Sequence, residues 1–108
     1  MTVSAADIQK AFEQLEGHVI RTPFVQAPML SASLGCDVRL KLENLQHTSS
    51  FKERGAFIAM QALSEETRKR GLITMSAGNH AQAVAYHARQ MGIPAVIVMP
   101  AQTPFAKV

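Results

Sequence analysis

The sequence predicts an α/β fold with a parallel β-sheet built from βαβ units, and three observations indicate it. First, strand patterns alternate with helix patterns between residues 38 and 99, an order that favours parallel strands joined by right-handed crossovers. Second, residues 95–99 form a continuous apolar run, as in a strand buried on both faces of a sheet. Third, the helix pattern of residues 79–91 carries a face of small residues that suits close packing on a sheet.

The first element is predicted to be a helix that begins at Ser4. Asp7 follows three residues later, in the spacing of a capping box, and Gly17 can end the helix. One apolar stripe at helical spacing contains Ile8, Ala11, Phe12 and Leu15.

The next segment is predicted to be extended, then helical, then a strand. Arg21 to Pro23 is extended because the residue before a proline avoids the helical region. A short helix over 28–34 begins at a proline and stops at Gly35. Residues 38–42 alternate apolar and charged, which indicates a strand with one wet face.

A second capping box, formed by Ser50 and Glu53, predicts the helix that follows the polar loop of residues 44–49. The charged residues 65–70 are interpreted as a turn that ends at Gly71. The apolar side of the predicted helix contains Gly55, Ile58, Ala59 and Ala62.

The last predicted unit is a strand at 72–75, a helix from Asn79 or His80 to Gly92, and the apolar strand. Thr103 and Pro104 then have the residue types of a helix start, with only four residues after them. A helix that short is unstable, so we expect this chain to be the N-terminal part of a longer protein.

Composition narrows the function classes. With 108 residues, 47% hydrophobic and 18% charged, the chain has an ordinary globular balance. The net charge of +3 is modest, and the one basic cluster, Arg68-Lys69-Arg70, has no interleaved aromatics, which argues against nucleic acid as a partner. A single cysteine, Cys36, excludes an intrachain disulfide. No apolar run has membrane-spanning length and the start lacks a signal-peptide pattern, so we expect a cytoplasmic protein without membrane contacts.

Residues 76–80, Ser-Ala-Gly-Asn-His, form the first candidate site. They follow the carboxyl end of a predicted strand and open a helix, where open α/β sheets bind ligands and free N–H groups attract anions. Gly78 permits a positive φ and a close approach of the backbone to a ligand. Ser76 and Asn79 can add hydrogen-bond donors. The alternative is a capped turn that binds nothing.

Lys52 is the second candidate. It lies in the first turn of the predicted helix, beside the positive end of the helix dipole. A lysine amine that is not protonated is a nucleophile toward carbonyl groups, which is Schiff-base chemistry. Phe51 places an aromatic ring beside it, and Gly55 in the same helix is costly unless something packs closely there. The alternative is an ordinary solvated surface lysine.

These motifs resemble a known family. Ser-Phe-Lys-x-Arg-Gly-Ala at residues 50–56, followed by Ser-x-Gly-Asn-His, is similar to the fold-type II pyridoxal-phosphate enzymes, in the threonine/serine dehydratase and serine racemase branch. The Arg-Thr-Pro at 21–23, the Lys-Leu-Glu-Asn-Leu-Gln at 41–46 and the prolines at 100 and 104 also resemble that family. The resemblance covers nearly the whole chain and implies a tryptophan-synthase-β-like architecture, incomplete at the C-terminus.

The resemblance implies specific roles for the site residues. Lys52 would form the internal aldimine with pyridoxal 5'-phosphate and later carry the α-proton. Phe51 would pack near the cofactor ring, and Asn79 would hydrogen-bond the ring hydroxyl oxygen. The substrate carboxylate would be held by the loop containing Ser76, Ala77, Gly78, Asn79 and His80. No metal is implied.

The implied reaction is deamination of a β-hydroxy amino acid, L-threonine first and L-serine second, to a 2-keto acid and ammonia. Serine racemases place a serine where Ala77 stands, and a second base is needed for racemisation. Ala77 therefore favours a dehydratase. Enzymes of β-replacement, such as cysteine synthase, usually carry threonine at the position of His80. Ser49 stands where glycine is common in the family.

Domain organisation follows from the same resemblance. Residues 1–53 would contribute to the large cofactor domain and residues 54–108 would begin the small α/β domain. The glycine-rich loop for the cofactor phosphate and the partner of the ring nitrogen would lie further along such a chain. We therefore expect an amino-acid substrate, a homo-oligomeric full-length protein and an inactive isolated piece, with an inert fragment as the non-enzymatic alternative.

Overall fold

A computed structural model describes residues 2–105 and 108, in which five α-helices and four short strands follow one another along the chain. No helix among these residues is both long enough and apolar enough to cross a membrane. The helices are α1 (Ala5–Gln14), α2 (Pro28–Leu34), α3 (Lys52–Gln61), α4 (Glu65–Arg70) and α5 (Asn79–Met91), and the strands are β1 (Phe24–Gln26), β2 (Arg39–Lys41), β3 (Leu72–Met75) and β4 (Ala95–Val98).

The parallel βαβ unit is confirmed for β3, α5 and β4. Leu72 pairs with Ala95 and Met75 with Val98, in parallel register, and α5 connects the two strands. Gly71, just before β3, has a φ of 85°, and a Cβ there would lie 2.6 Å from the main-chain oxygen of Pro94. The strands therefore approach each other at their amino ends as closely as only a glycine allows.

The predicted strand of residues 38–42 is present but does not belong to the parallel sheet. Its central residues form β2, which pairs antiparallel with β1 in a separate two-stranded sheet. The pairing of Phe24 with Lys41 and of Gln26 with Arg39 brings the strand after the Arg-Thr-Pro segment alongside β2. The helix α2 connects the two strands, and its bounds match the prediction because Pro28 and Gly35 mark both ends.

The core lies between α3 and α5 and extends to the start of β4. Ala56 and Met60 of α3 pack against Ala83, Val84 and Ala88 of α5 in one buried cluster with Ile93. The small residues of α5 were predicted to allow close packing on the sheet. In the structure they pack chiefly against α3 and also against the sheet. This packing fixes the start of α3 relative to the start of α5.

The apolar run of residues 95–99 is not buried on both faces within this chain. The face of the parallel sheet turned away from α5 exposes Ile73, Met75, Val96 and Val98. Residues two apart on a strand share a face, so these four side chains form one apolar surface. The stripe of α1 is likewise largely exposed: Leu15 is buried, but Ile8 and Phe12 are more than half exposed.

Two local predictions are corrected by the structure. The charged residues 65–70 form α4 rather than a turn, because Ser64 accepts a hydrogen bond from the Thr67 N–H and begins a helix. The capping box of Ser50 and Glu53 does not form, because the Glu53 side chain turns inward instead of bonding the helix start. The capping box at Ser4 and Asp7 is confirmed.

Candidate active site

Lys52 is the first residue of α3, and its side chain is exposed. Its Nζ lies 5.2 Å from the centroid of the Phe51 ring, within the range of a cation–π contact. The Phe51 ring is itself 60% exposed, so it has surface left to contact another group. The amine is therefore held beside an aromatic ring and remains accessible from solvent.

A cleft of about 420 Å³ lies between α3, β3 and the start of α5, and Lys52 and His80 both line it. Small-molecule sites usually occupy about 300–1,000 Å³ with a mostly apolar lining. Apart from Lys52, His80 and Thr74, the wall consists of glycine and apolar side chains: Gly55, Ala56, Ala59, Met60, Leu63, Leu72, Ile73 and Val84. The cleft thus combines an accessible amine with an apolar wall.

His80 is oriented by Thr74. Its Nε2 lies 3.0 Å from the Thr74 Oγ1, at hydrogen-bond distance. Sequence reasoning did not single out Thr74. The signal was available, because alternation along β3 puts a polar Thr74 on the same face as Leu72, where an apolar residue would be expected.

The loop at residues 76–78 is tied to the sheet and to itself. The Ser76 N–H donates to the Val98 carbonyl oxygen at 3.0 Å, and the Ser76 Oγ accepts from the Gly78 N–H at 3.2 Å. Asn79 begins α5 and is exposed, and the first N–H groups of a helix have no partner within it. Of the predicted substrate loop, only His80 lines the cleft; Ser76, Ala77, Gly78 and Asn79 lie just before it in the chain.

Gly78 does not use the positive φ that a glycine permits. Its φ is −141°, and a Cβ built there would meet nothing within 4 Å. Ser49, in the loop before Lys52, has a φ of 56° instead, the one non-glycine residue with positive φ among residues 2–105 and 108. The position where the family commonly has glycine is thus the one that needs a left-handed backbone.

A charged pair anchors the start of α3. The guanidinium of Arg54 donates to both oxygens of the Glu43 carboxylate, with Nε–Oε2 and Nη2–Oε1 distances of 2.8 Å, and the Thr22 hydroxyl donates to Oε1 at 2.5 Å. The Arg54 hydrogen bonds lower the pKa of Glu43 to about 2, against the opposing effect of burial. The pKa of Arg54 is correspondingly raised, chiefly by its hydrogen bonds to Glu43.

Gln46 and Lys41 extend this network to the extended segment before β1. The buried Gln46 amide accepts from the Ile20 N–H at 3.0 Å and donates to the Ile20 carbonyl oxygen at 2.8 Å. The Lys41 Nζ donates to the Thr22 carbonyl oxygen at 2.6 Å. In the sequence these two residues are only part of the motif at 41–46. Their spacing along the chain gives no sign that they meet at the segment of Ile20 and Thr22.

A second cavity, of about 510 Å³, shares no lining residue with the first. It is more polar, and two pairs of stacked rings contribute to it: His18 on Phe57 and His47 on Tyr86. None of the predicted site residues lies there. Within residues 2–105 and 108, no three His, Cys, Asp or Glu side chains come together in a way that could hold a metal ion.

Residues 15–108 match a protein family described as pyridoxal-phosphate dependent enzyme. The chain belongs to this family. The match covers both helix starts and the cleft between them. The cofactor of the family is pyridoxal phosphate.

Named relatives support the same assignment. The chain is 50% identical over 102 residues to an L-threo-3-hydroxyaspartate ammonia-lyase from a Pseudomonas species, covering 94% of this chain and 32% of that protein. It is 48% identical over 106 residues to an L-threonine ammonia-lyase from Thermotoga maritima, covering 98% of this chain and 26% of that protein. The chain thus spans about a quarter to a third of the length of these relatives.

The fold is shared with solved structures of the family. The structure of maize serine racemase superposes with a TM-score of 0.91 at 36% identity, covering 99% of this chain and 32% of that one. The predicted fold class and the predicted cofactor are therefore confirmed, including the expectation that this chain covers only part of the architecture.

The residues present fit pyridoxal phosphate. The cofactor carries an aldehyde, and the exposed amine of Lys52 is the nucleophile that such an aldehyde needs. The apolar wall of the 420 Å³ cleft suits an aromatic ring, and the Phe51 ring beside the amine is exposed. An exposed amine, an exposed aromatic ring and an apolar wall therefore lie together at this cleft.

Proposed function

We propose that the protein takes part in the deamination of a β-hydroxy amino acid, L-threonine first and L-serine second, to a 2-keto acid and ammonia. The observation that carries the proposal is the cleft that Lys52 shares with His80, next to the first turn of α5. The names of the two relatives support it, since threonine and 3-hydroxyaspartate both carry a hydroxyl group on the β-carbon.

The chain supplies a base, a carboxylate site and an orienting contact. Lys52 would hold the cofactor through its amine and would take the proton from the substrate α-carbon. The loop of Ser76, Ala77, Gly78, Asn79 and His80 binds the substrate carboxylate, where the helix start favours an anion. Thr74 holds the imidazole of His80 in one orientation.

Two further contacts are proposed for the cofactor itself. The exposed Phe51 ring would pack near the cofactor ring, and Asn79 would donate a hydrogen bond to its hydroxyl oxygen. When bound, pyridoxal phosphate supplies an electron sink that stabilises the negative charge left on the α-carbon. Loss of the β-hydroxyl as water and later uptake of water with release of ammonia balance the overall reaction.

Racemisation of serine is the second candidate, and the likeness to maize serine racemase favours it. A racemase needs a base on each face of the α-carbon. Ala77 has no group that can carry a proton, and it stands where serine racemases have serine. We therefore rank the lyase first, and we expect Ala77→Ser to increase racemisation at the expense of elimination.

The wider organisation is proposed from the family resemblance. Residues 1–53 contribute to a large cofactor domain and residues 54–108 to a smaller one, in a cytoplasmic homo-oligomer. This boundary falls one residue after Lys52, at the start of α3.

The first test is covalent attachment of the cofactor. The purified protein is incubated with pyridoxal phosphate and reduced with borohydride, and the labelled peptide is identified by mass spectrometry. We expect the label on Lys52 and none there in Lys52→Ala. Lys10→Ala is the matched control, because Lys10 is exposed on α1 and does not line the cleft.

The second measurement is keto-acid release from a panel of β-hydroxy amino acids, made on the full-length protein because the isolated piece is expected to be inactive. Threonine is expected to react fastest, serine more slowly, and Lys52→Ala not at all. Unchanged labelling or unchanged turnover in Lys52→Ala would contradict the assignment. Release of D-serine from L-serine without keto acid would favour the racemase instead.

A further inference from the structure

Glu53, directly after Lys52, has an environment opposite to that of its neighbour. Lys52 is exposed, whereas the Glu53 side chain is completely buried. Carboxylates are almost never fully buried without a partner, because removing the charge from water is costly. A buried Glu53 one residue from the lysine therefore calls for a specific contact.

The contact is with the main chain of the loop before the helix. The Thr48 N–H donates to the Glu53 Oε1, while the other carboxylate oxygen, Oε2, is buried and has no hydrogen-bond partner among the residues that the structure describes. The bond reaches back five residues, so Lys52 belongs to the turn that it closes. The residue before α3, Phe51, has no side-chain cap hydrogen bond of its own.

The enclosed loop has little other support. Ser49 has a left-handed backbone, which is unfavourable for a residue with a side chain. The main-chain N–H of Lys52 donates to the Ser50 Oγ at 3.4 Å, a long hydrogen bond. The Ser49 N–H donates to the Gln46 carbonyl oxygen at 2.9 Å. Apart from the long Ser50 contact, the Thr48–Glu53 bond is the side-chain hydrogen bond that ties this turn to the helix among the described residues.

His87 completes the surroundings from the opposite helix. It is 2% exposed, its Nε2 has no hydrogen-bond partner among the described residues, and the rings of Phe57 and Tyr86 contact it edge-on. Burial lowers the pKa of His87, and the charge of Glu53 opposes part of that lowering. The fully buried Glu53 of α3 is thus close enough to His87 of α5 for its charge to act on the imidazole.

We propose that Glu53 is a positioning residue for Lys52: its buried carboxylate accepts the Thr48 N–H, holds the turn of residues 48–52 against α3 and so fixes where the lysine side chain leaves the helix. The importance of that placement rests on the proposed function of Lys52. The contact itself does not depend on that function. Productive attack requires reacting atoms about 3–3.5 Å apart, so a small displacement of the amine is costly.

The variants separate the acceptor from the charge. Glu53→Gln keeps an oxygen at the same reach, Glu53→Met keeps the volume without an acceptor, and Glu53→Asp keeps the charge but is one methylene too short. Glu66→Met is the control, since Glu66 is exposed on α4 and outside the cleft. Glu53→Asp also tests the proposal if Glu53→Met does not fold.

The first readout is hydrogen exchange of the Thr48 amide followed by NMR, which needs no cofactor. We expect slow exchange in the wild type and in Glu53→Gln, and exchange at least about tenfold faster in Glu53→Met and Glu53→Asp, beyond any change in global unfolding. Equal protection in all variants, or equal loss in Glu53→Gln and Glu53→Met, would overturn the proposal.

The second readout is the rate at which Lys52 is labelled by pyridoxal phosphate and borohydride. A fall of about tenfold or more in Glu53→Met and Glu53→Asp, with recovery in Glu53→Gln, supports the positioning role, and unchanged rates overturn it. If the wild-type Lys52 is not labelled while Thr48 behaves as expected, the proposed function fails and the Thr48–Glu53 contact stands.

Discussion

The two helix starts at the cleft are held in different ways. The start of α3 is tied by side chains to the segment before it, through Arg54 to Glu43 and through Glu53 to Thr48. The start of α5 is tied by the main-chain bond from Ser76 to Val98 and by short-range contacts. One helix start is therefore fixed by side-chain hydrogen bonds, and the other by main-chain pairing with the sheet.

This difference suits the two proposed tasks. A lysine that attacks a carbonyl has to stay at one place relative to the cofactor, which requires contacts to rigid elements. A loop that closes around a substrate carboxylate has to admit and release it, and local contacts permit that more readily. We therefore expect substitutions to affect stability more at the start of α3 than at the start of α5.

The largest expected effect is that of Arg54→Ala. It leaves the partly buried Glu43 carboxylate with only the Thr22 hydroxyl and the long Gln46 contact, and we expect a loss of about 2–3 kcal/mol in the free energy of unfolding. Denaturant unfolding measures it. Arg39→Ala, which breaks an exposed pair, is the control and is expected to cost less than about 1 kcal/mol. Equal losses would contradict the comparison.

The next effect is a dependence of stability on pH that comes from Glu43. Its pKa is lowered from 4.5 to about 2 in the folded protein, so the deprotonated carboxylate favours the folded state. This contribution is complete above pH 4.5 and is lost as the pH falls toward 2, by about 2 kcal/mol. Unfolding measured across this range should show the loss in the wild type and a smaller slope in Glu43→Gln. Parallel curves would locate the acid sensitivity elsewhere.

The smallest expected effects on stability are those of substitutions at Ser49, before α3, and at Gly78, before α5. Ser49→Gly is expected to stabilise the protein by about 0.5–1 kcal/mol, because glycine adopts the positive φ at lower cost. Gly78→Ala should change stability by less than about 0.5 kcal/mol, because its φ is not positive and a Cβ has space there. Thermal unfolding of both variants tests this, and a destabilising Ser49→Gly would refute the strain.

The sequence predicted local structure well where both ends of an element carry a chemical signal. The bounds of α2 follow from Pro28 and Gly35, and the strand at 72–75 and the helix from Asn79 to Gly92 were also anticipated. The family resemblance, rather than spacing, led to the cofactor. Periodicity alone left both candidate sites with purely structural alternatives.

What the sequence could not predict depends on tertiary contacts that no local pattern reveals. The antiparallel pairing of β1 with β2 is invisible because Phe24–Gln26 has no alternation of apolar and polar residues. Glu53 has the spacing of a capping residue, but tertiary packing draws it to Thr48 instead. The anchor of Glu43 and Arg54 joins residues eleven positions apart, which no local rule connects.

The exposed apolar face of the parallel sheet has a consequence for the behaviour of this chain in solution. Ile73, Met75, Val96 and Val98 offer a flat, uncharged surface bordered by strands that each have an unpaired edge. Such surfaces adhere to one another, and unpaired strand edges extend the contact. Concentration, more than temperature, would then set how long the isolated chain stays monodisperse, and dilution would reverse the first stages of its association.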